Sequence, residues 1–192
     1  PVFVRNGDCW GNFHKSETSA GFVLGADCNV VANPEKKVMH AGNTILLEDM
    51  DGDGIKDLLV GHVSDAYISF LKNDSKTIIG NFIQVSPSFP AKDPAQFHTF
   101  LAAFMEDVDF DGVKDLLVST NVPESDHSLS DFKSSNWLYK NTGSAVNPNY
   151  ALVRKNFLQD QMLDVGENAA PTFMDVDGDG DLDILVGTGG MP

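Results

Sequence analysis

The chain is 192 residues long, 42% hydrophobic, and carries a formal charge of −15. That composition belongs to globular proteins rather than disordered ones, and the acidic excess argues against nucleic acid or anionic lipid as partners. No apolar run approaches the roughly 18 residues of a membrane-spanning helix, so membrane insertion is not expected.

Pro1-Val2-Phe3-Val4 has neither the basic start nor the long apolar stretch of a leader peptide. A start on Pro1 reads as a processed or excised piece of something longer. Cys9 and Cys28 follow, on either side of the loop-like stretch WGNFHKSETSAGFVLGAD. Neither lies in a C-x-x-C pattern, and no His pair frames them as zinc ligands. Two readings stay open: a disulfide closing this loop, which implies an oxidising, extracellular-type compartment, or two free thiols.

Strands are expected next. Ile45-Leu46-Leu47 enters an acidic loop and Leu58-Leu59-Val60 leaves it. Tyr67 to Leu71 and Phe82 to Val85 follow, separated by the turn residues Lys72-Asn73-Asp74 and Gly80-Asn81. The unbroken apolar runs LLV and ILV predict strands covered on both faces.

The unit then recurs. EDMDGDGIKDLLVG from Glu48 is matched by EDVDFDGVKDLLVS from Glu106 and MDVDGDGDLDILVG from Met174. FLKNDSKTIIGNF matches LYKNTGSAVNPNY, and Phe82 to Asp107 is as long as Tyr150 to Asp175. Asp49 to Asn73 spans 24 residues and Asp107 to Asn141 spans 34, so the polar stretch NVPESDHSLSDFKSSN absorbs the excess as a loop. Pro1-Val2-Phe3-Val4 resembles Pro148-Asn149-Tyr150-Ala151, which makes residues 9–28 an insertion in the first unit.

The three motifs, 49–57, 107–115 and 175–183, have one internal spacing. Carboxylates fall at positions 1, 3, 5 and 9: Asp49, Asp51, Asp53 and Asp57; Asp107, Asp109, Asp111 and Asp115; Asp175, Asp177, Asp179 and Asp183. Position 6 is Gly54, Gly112 or Gly180, which permits a sharp turn. The backbone carbonyls of position 7, on Ile55, Val113 and Asp181, can point inward. Four carboxylates, a carbonyl and water make the oxygen shell that Ca²⁺ takes, whereas Mg²⁺ resists so many protein ligands. An EF-hand needs a bidentate Glu at position 12; Val60, Val118 and Val186 stand there, so the ligand set closes at position 9 and the loop joins two strands. A solvated Asp-Gly turn would explain one copy, but three copies at one spacing favour an ion. Three Ca²⁺ ions would move the formal charge from −15 to −9. Catalytic use fits poorly, because paired acid–base carboxylates need different environments and these loops look alike.

On these residues the sequence resembles FG-GAP/VCBS-like repeats, the units of calcium-bearing β-propellers such as the integrin α-subunit head. AAPTFMDVDGDGDLDILVG matches that pattern, and LYKNTGSAVNP is similar to the segment that follows it in bacterial versions. Phe110 departs from the pattern at position 4, where the other copies have Gly. The resemblance spans residues 1–192 apart from the insertion. It implies an all-β propeller segment of about three four-stranded blades, part of a larger, roughly seven-bladed propeller. It is strongest to large secreted surface proteins of Bacteroidota-type bacteria, commonly exported by the type IX route.

The histidines His14, His40, His62, His98 and His127 fall in no nucleophile or metal motif, and neither G-x-S-x-G nor H-E-x-x-H occurs. The expected function is therefore a calcium-stabilised, non-catalytic module of a secreted or cell-surface protein, serving adhesion, carbohydrate or protein binding, or scaffolding. The alternatives are a propeller domain of a secreted polysaccharide-degrading enzyme, or a passenger bound to secretion or surface machinery.

Overall fold

The computed structural model describes residues 11–15, 21–25, 42–98, 100–120, 131–163, 165 and 168–189. Cys9 and Cys28, and with them the disulfide, lie outside these residues, as do His40 and His127. The chain divides into two units, Pro1–Phe157 and Leu158–Pro192.

In the first unit, β1 (Phe13–Lys15) pairs with β2 (Phe22–Leu24). β3 (Asn43–Glu48), β4 (Asp57–His62), β5 (Ser69–Asn73) and β6 (Phe82–Ser86) form an antiparallel meander in sequence order. β7 (Leu101–Glu106), β8 (Asp115–Thr120), β9 (Asn136–Asn141) and β10 (Tyr150–Arg154) form a second, with a single 3-10 turn at Phe132–Ser134. In the second unit β11 (Ala170–Met174) pairs with β12 (Asp183–Gly187). The described residues are thus all-β, in antiparallel sheets.

The repeat in sequence is a repeat in register. Each acidic loop closes a hairpin at the same point: Glu48 opposite Asp57, Glu106 opposite Asp115, Met174 opposite Asp183. The expected four-stranded unit occurs twice. Among the described residues the third copy forms a two-stranded sheet. The third strand of the first sheet starts at Ser69, not Tyr67, since Tyr67 instead bridges Gln96.

β4 is buried along most of its length, as its apolar run predicts. Leu59 turns to one face, packing with Ile68, Leu101, Leu116, Val118 and Tyr139 between the two four-stranded sheets. Leu58 and Val60 turn to the other face, joining Leu71 and Phe82. That second cluster is covered by Phe13, Phe22 and Leu24 of the β1–β2 hairpin. The insertion therefore holds a small sheet where a loop is expected. Asn12 fastens it: its amide donates to the Phe82 carbonyl at 3.0 Å and its oxygen accepts the Phe82 amide at 2.7 Å. Phe13 meets Phe82 edge-on at 5.0 Å. In the second unit the ILV run of β12 is not covered on both faces, with Ile184 53% and Leu185 43% exposed.

Leu71 is 0% exposed, so Leu71→Ala should destabilise the first unit by about 2–5 kcal/mol through lost burial and a cavity. Ile78→Ala, at a residue 92% exposed, should be near neutral. Urea unfolding of the two variants checks this.

Candidate metal centres

The three acidic loops have the same internal wiring. The position 1 carboxylate gathers the amides that follow it. Asp49 accepts from Gly52, Asp53 and Gly54 at 2.7, 3.1 and 2.8 Å. Asp107 accepts from Asp111 and Gly112 at 3.1 and 2.9 Å, and Asp175 from Gly178 and Gly180 at 2.7 and 3.1 Å. The position 5 carboxylate accepts the position 7 amide in every copy, from Ile55, Val113 and Asp181, at 2.8, 2.9 and 2.9 Å.

This winding requires positive φ at position 6, where Gly54, Gly112 and Gly180 adopt 83°, 89° and 96°. It requires the same at position 4. Gly52 and Gly178 adopt 82° and 80°, and Phe110 is held at 61° at a strain of about 1 kcal/mol. Gly52 also lies against the Val146 backbone, where a Cβ would collide, whereas the Phe110 side chain is 91% exposed. A side chain is tolerated at position 4 only where the turn faces open space.

Within each loop three carboxylate oxygens come within 4.8 Å of one another. The triads are Asp49, Asp51 and Asp53; Asp107, Asp109 and Asp115; and Asp175, Asp177 and Asp183. Oxygens on the shell of one Ca²⁺, each about 2.3–2.6 Å from the ion, are separated by no more than about 5 Å, so the donor set and its spread fit that ion. Asp57, Asp111 and Asp179 lie outside the triads of their own loops.

Position 9 has a second occupation. Asp57 is fully buried and accepts the Met50 amide at 3.1 Å and the Asn73 amide at 2.9 Å. Asp115, 1% exposed, accepts the Val108 amide at 3.3 Å and the Asn141 amide at 2.8 Å. Asp183 accepts the Val176 amide at 3.0 Å. In both four-stranded sheets this carboxylate therefore ties the start of the loop to the end of the third strand. Burial pushes the Asp57 carboxyl up to about 6, against the two amides that favour its charged form, and Asp51 and Asp53 add repulsion.

The repeat also places lysines that motif reading passed over. The Lys72 ammonium bonds Asp51, and reaches Asp53 at 3.1 Å. Lys140 bonds Asp109, and reaches Asp111 at 3.2 Å. Asp53 and Asp111 are held below the usual carboxylate range, first by the amides of Ile55 and Val113 and then by these lysines. The signal was present in the matched Lys72-Asn73 and Lys140-Asn141 dipeptides. Their asparagines repeat as well: the Asn73 side-chain oxygen accepts from Ser75 and Asn81 at 3.0 and 2.9 Å, and that of Asn141 from Gly143 and Asn149 at 3.1 and 2.9 Å. Lys114 of the second loop bonds Glu48 at the edge of the first, joining the two sheets and lowering the Glu48 carboxyl.

No family model matches the chain, and neither does any curated protein or solved structure.

Proposed function

We propose that the chain is a calcium-stabilised, non-catalytic segment of a secreted or cell-surface β-propeller of the FG-GAP/VCBS type. The observation that carries this reading is the threefold recurrence of one acidic loop, each copy drawing three carboxylates within 4.8 Å at a strand junction. Two four-stranded meanders packed face to face support a propeller arrangement. Each ion would be held by the loop aspartates, with the position 7 carbonyls completing the shell, and would pin the turn that delivers an apolar strand to the core. The sameness of the loops supports structure over catalysis, since acid–base pairs depend on unlike environments. Extracellular calcium modules work with dissociation constants of about 10⁻⁴–10⁻³ M, and an exposed loop of this kind suits that range. The module would present its remaining surface to a carbohydrate or protein partner.

The lysines give a direct test. A cation entering the second loop must displace the Lys140 ammonium or bind beside it, and like charges at about 5 Å oppose binding by more than 1 kcal/mol even in water. Lys140→Ala should therefore tighten calcium binding at that loop by on the order of tenfold. Calorimetric titration of calcium into the two proteins measures it. Unchanged or weaker binding in the variant would count against an ion in the loop.

A further inference from the structure

The first four-stranded sheet has two apolar faces, and the repeat shows what each is built to meet. The second sheet turns Leu116, Val118 and Tyr139 to the first, with Tyr150 packed beside them. Counted from the matched aspartates and asparagines, the same four positions in the first sheet are Leu58, Val60, Leu71 and Phe82. These four form the second cluster, on the face away from the second sheet. The cross-strand pair Leu116–Tyr139 recurs there as Leu58–Leu71. In the second sheet this face is seated on another sheet of the same kind. In the first it is seated on the β1–β2 hairpin.

The hairpin reproduces the contacts of a neighbouring sheet on a smaller scale. Tyr150 meets Phe89 edge-on at 5.8 Å, and its counterpart Phe82 meets Phe13 edge-on at 5.0 Å. An ion pair closes each junction: Lys114 with Glu48 between the two sheets, and Lys15 with Asp65 at 2.6 Å between hairpin and first sheet. Asn12 adds its two bonds to the Phe82 backbone. The cover is partial. Ile45 and Leu47 stand opposite Val60 and Leu58 and so share their face, yet they are 68% and 39% exposed. Their counterparts Ala103 and Met105 pack against the cluster between the sheets.

The hairpin is lightly held. Its strands are three residues each, and a two-stranded ribbon of that length has little stability of its own. Among the described residues its polar anchors to the sheet are Asn12 and Lys15, beside the apolar contacts of Phe13, Phe22 and Leu24. The strands beneath it pair with one another and not with it. Loosening the two anchors would therefore free the hairpin and leave the sheet folded. The surface uncovered is apolar across four strands, carrying Leu58, Val60, Leu71 and Phe82 beside Ile45 and Leu47. An apolar patch of that extent marks an interaction surface when water reaches it.

We propose that the β1–β2 hairpin is a displaceable cap over an interaction surface, and that the partner this surface fits is the same surface of a second copy of the chain. The repeat points to a sheet as the partner, because the matching face of the second sheet is seated on one. The other face of the first sheet is already taken by the second sheet. Two uncapped copies would pair the remaining face with itself, as a two-fold contact does. While the hairpin is docked the surface is closed to that contact. The proposal goes beyond the calcium reading and needs neither the ions nor a closed ring of repeats.

The test is sedimentation velocity on the full chain over a wide concentration range in calcium-containing buffer. Asn12→Ala combined with Lys15→Asp removes both polar anchors and sets a second carboxylate against Asp65. It should raise the open fraction by about tenfold, and the dimer dissociation constant should then fall by about a hundredfold, because both copies must open. Adding Asp65→Lys restores the ion pair and should reverse at least part of the shift. Adding Ile45→Asp instead leaves the hairpin free but places a charge on an exposed position of the face, and should abolish the association. Association that opening does not strengthen, that Asp65→Lys does not reverse, or that survives Ile45→Asp would overturn the proposal. Hydrogen exchange on the unaltered protein tests it without a variant. The amides of Phe82 and Gly25, both bonded to Asn12, should exchange about tenfold or more faster than that of Leu71. Equal rates would mean that the hairpin opens only when the sheet unfolds, and would overturn it as well.

Discussion

Chelating calcium should lower the melting temperature of the first unit by roughly 10–20 °C. An ion that binds only the folded loop adds about 2.7 kcal/mol at a hundredfold excess over its dissociation constant. The first unit holds two such loops and so stands to lose about 5 kcal/mol. For a body of this size each kcal/mol moves the midpoint by about 2–4 °C. Protease sensitivity should rise at the same time in the turns around Asp51, Asp109 and Asp177, where backbone amides depend on aspartates that repel one another. Asp179→Ala should weaken the third loop only, because it lies in the other unit. Scanning calorimetry with calcium and then with EGTA gives the shift. Coincident curves would mean the loops are not staples.

The second large effect is expected at Asp115, and it separates a metal ligand from a structural acceptor. Asp115→Ala leaves the amides of Val108 and Asn141 without their partner in a site 1% exposed to solvent. Each buried orphan costs about 1–3 kcal/mol, so a loss of about 3 kcal/mol or more is expected. The loss should persist in chelating buffer, where ion binding contributes nothing. Asp111→Ala offers the contrast: its carboxylate is exposed and accepts one local amide, so in chelator it should cost well under 1 kcal/mol. Urea midpoints at constant slope measure both. Equal costs for the two variants in chelator would show that the carboxylate of Asp115 does not hold the third strand.

What could be read in the sequence, and what could not, divides along distance in the chain. The strands on either side of each loop follow from short apolar runs next to Asp-Gly turns, so β3, β4, β7, β8, β11 and β12 were all legible. The convergence of Asp49, Asp51 and Asp53 is likewise a property of a few adjacent residues. The bonds from Asp57 and Asp115 to the end of the third strand were not legible, because their partners Asn73 and Asn141 come from another strand. Lys72 and Lys140 escaped notice for the same reason, although their places in the repeat match. The β1–β2 hairpin is too short to show a period. It is held by Phe82, far along the chain, and only its packing reveals that Phe13 and Phe22 are core residues. Trp137 meets the Phe97 ring and the Lys155 ammonium from distant parts of the chain, which no local pattern encodes.

The central claim is that the acidic loops are calcium sites at strand junctions. A crystal structure grown in millimolar calcium, with anomalous differences collected, tests it most directly. The account predicts an anomalous peak in each loop, ringed by oxygens at about 2.3–2.6 Å drawn from the aspartates at positions 1, 3, 5 and 9 and the carbonyls of Ile55, Val113 and Asp181, with the Lys72 and Lys140 ammonium groups moved off the carboxylates. Loops without peaks, with Lys72 and Lys140 still bridging Asp51 to Asp53 and Asp109 to Asp111, would contradict it.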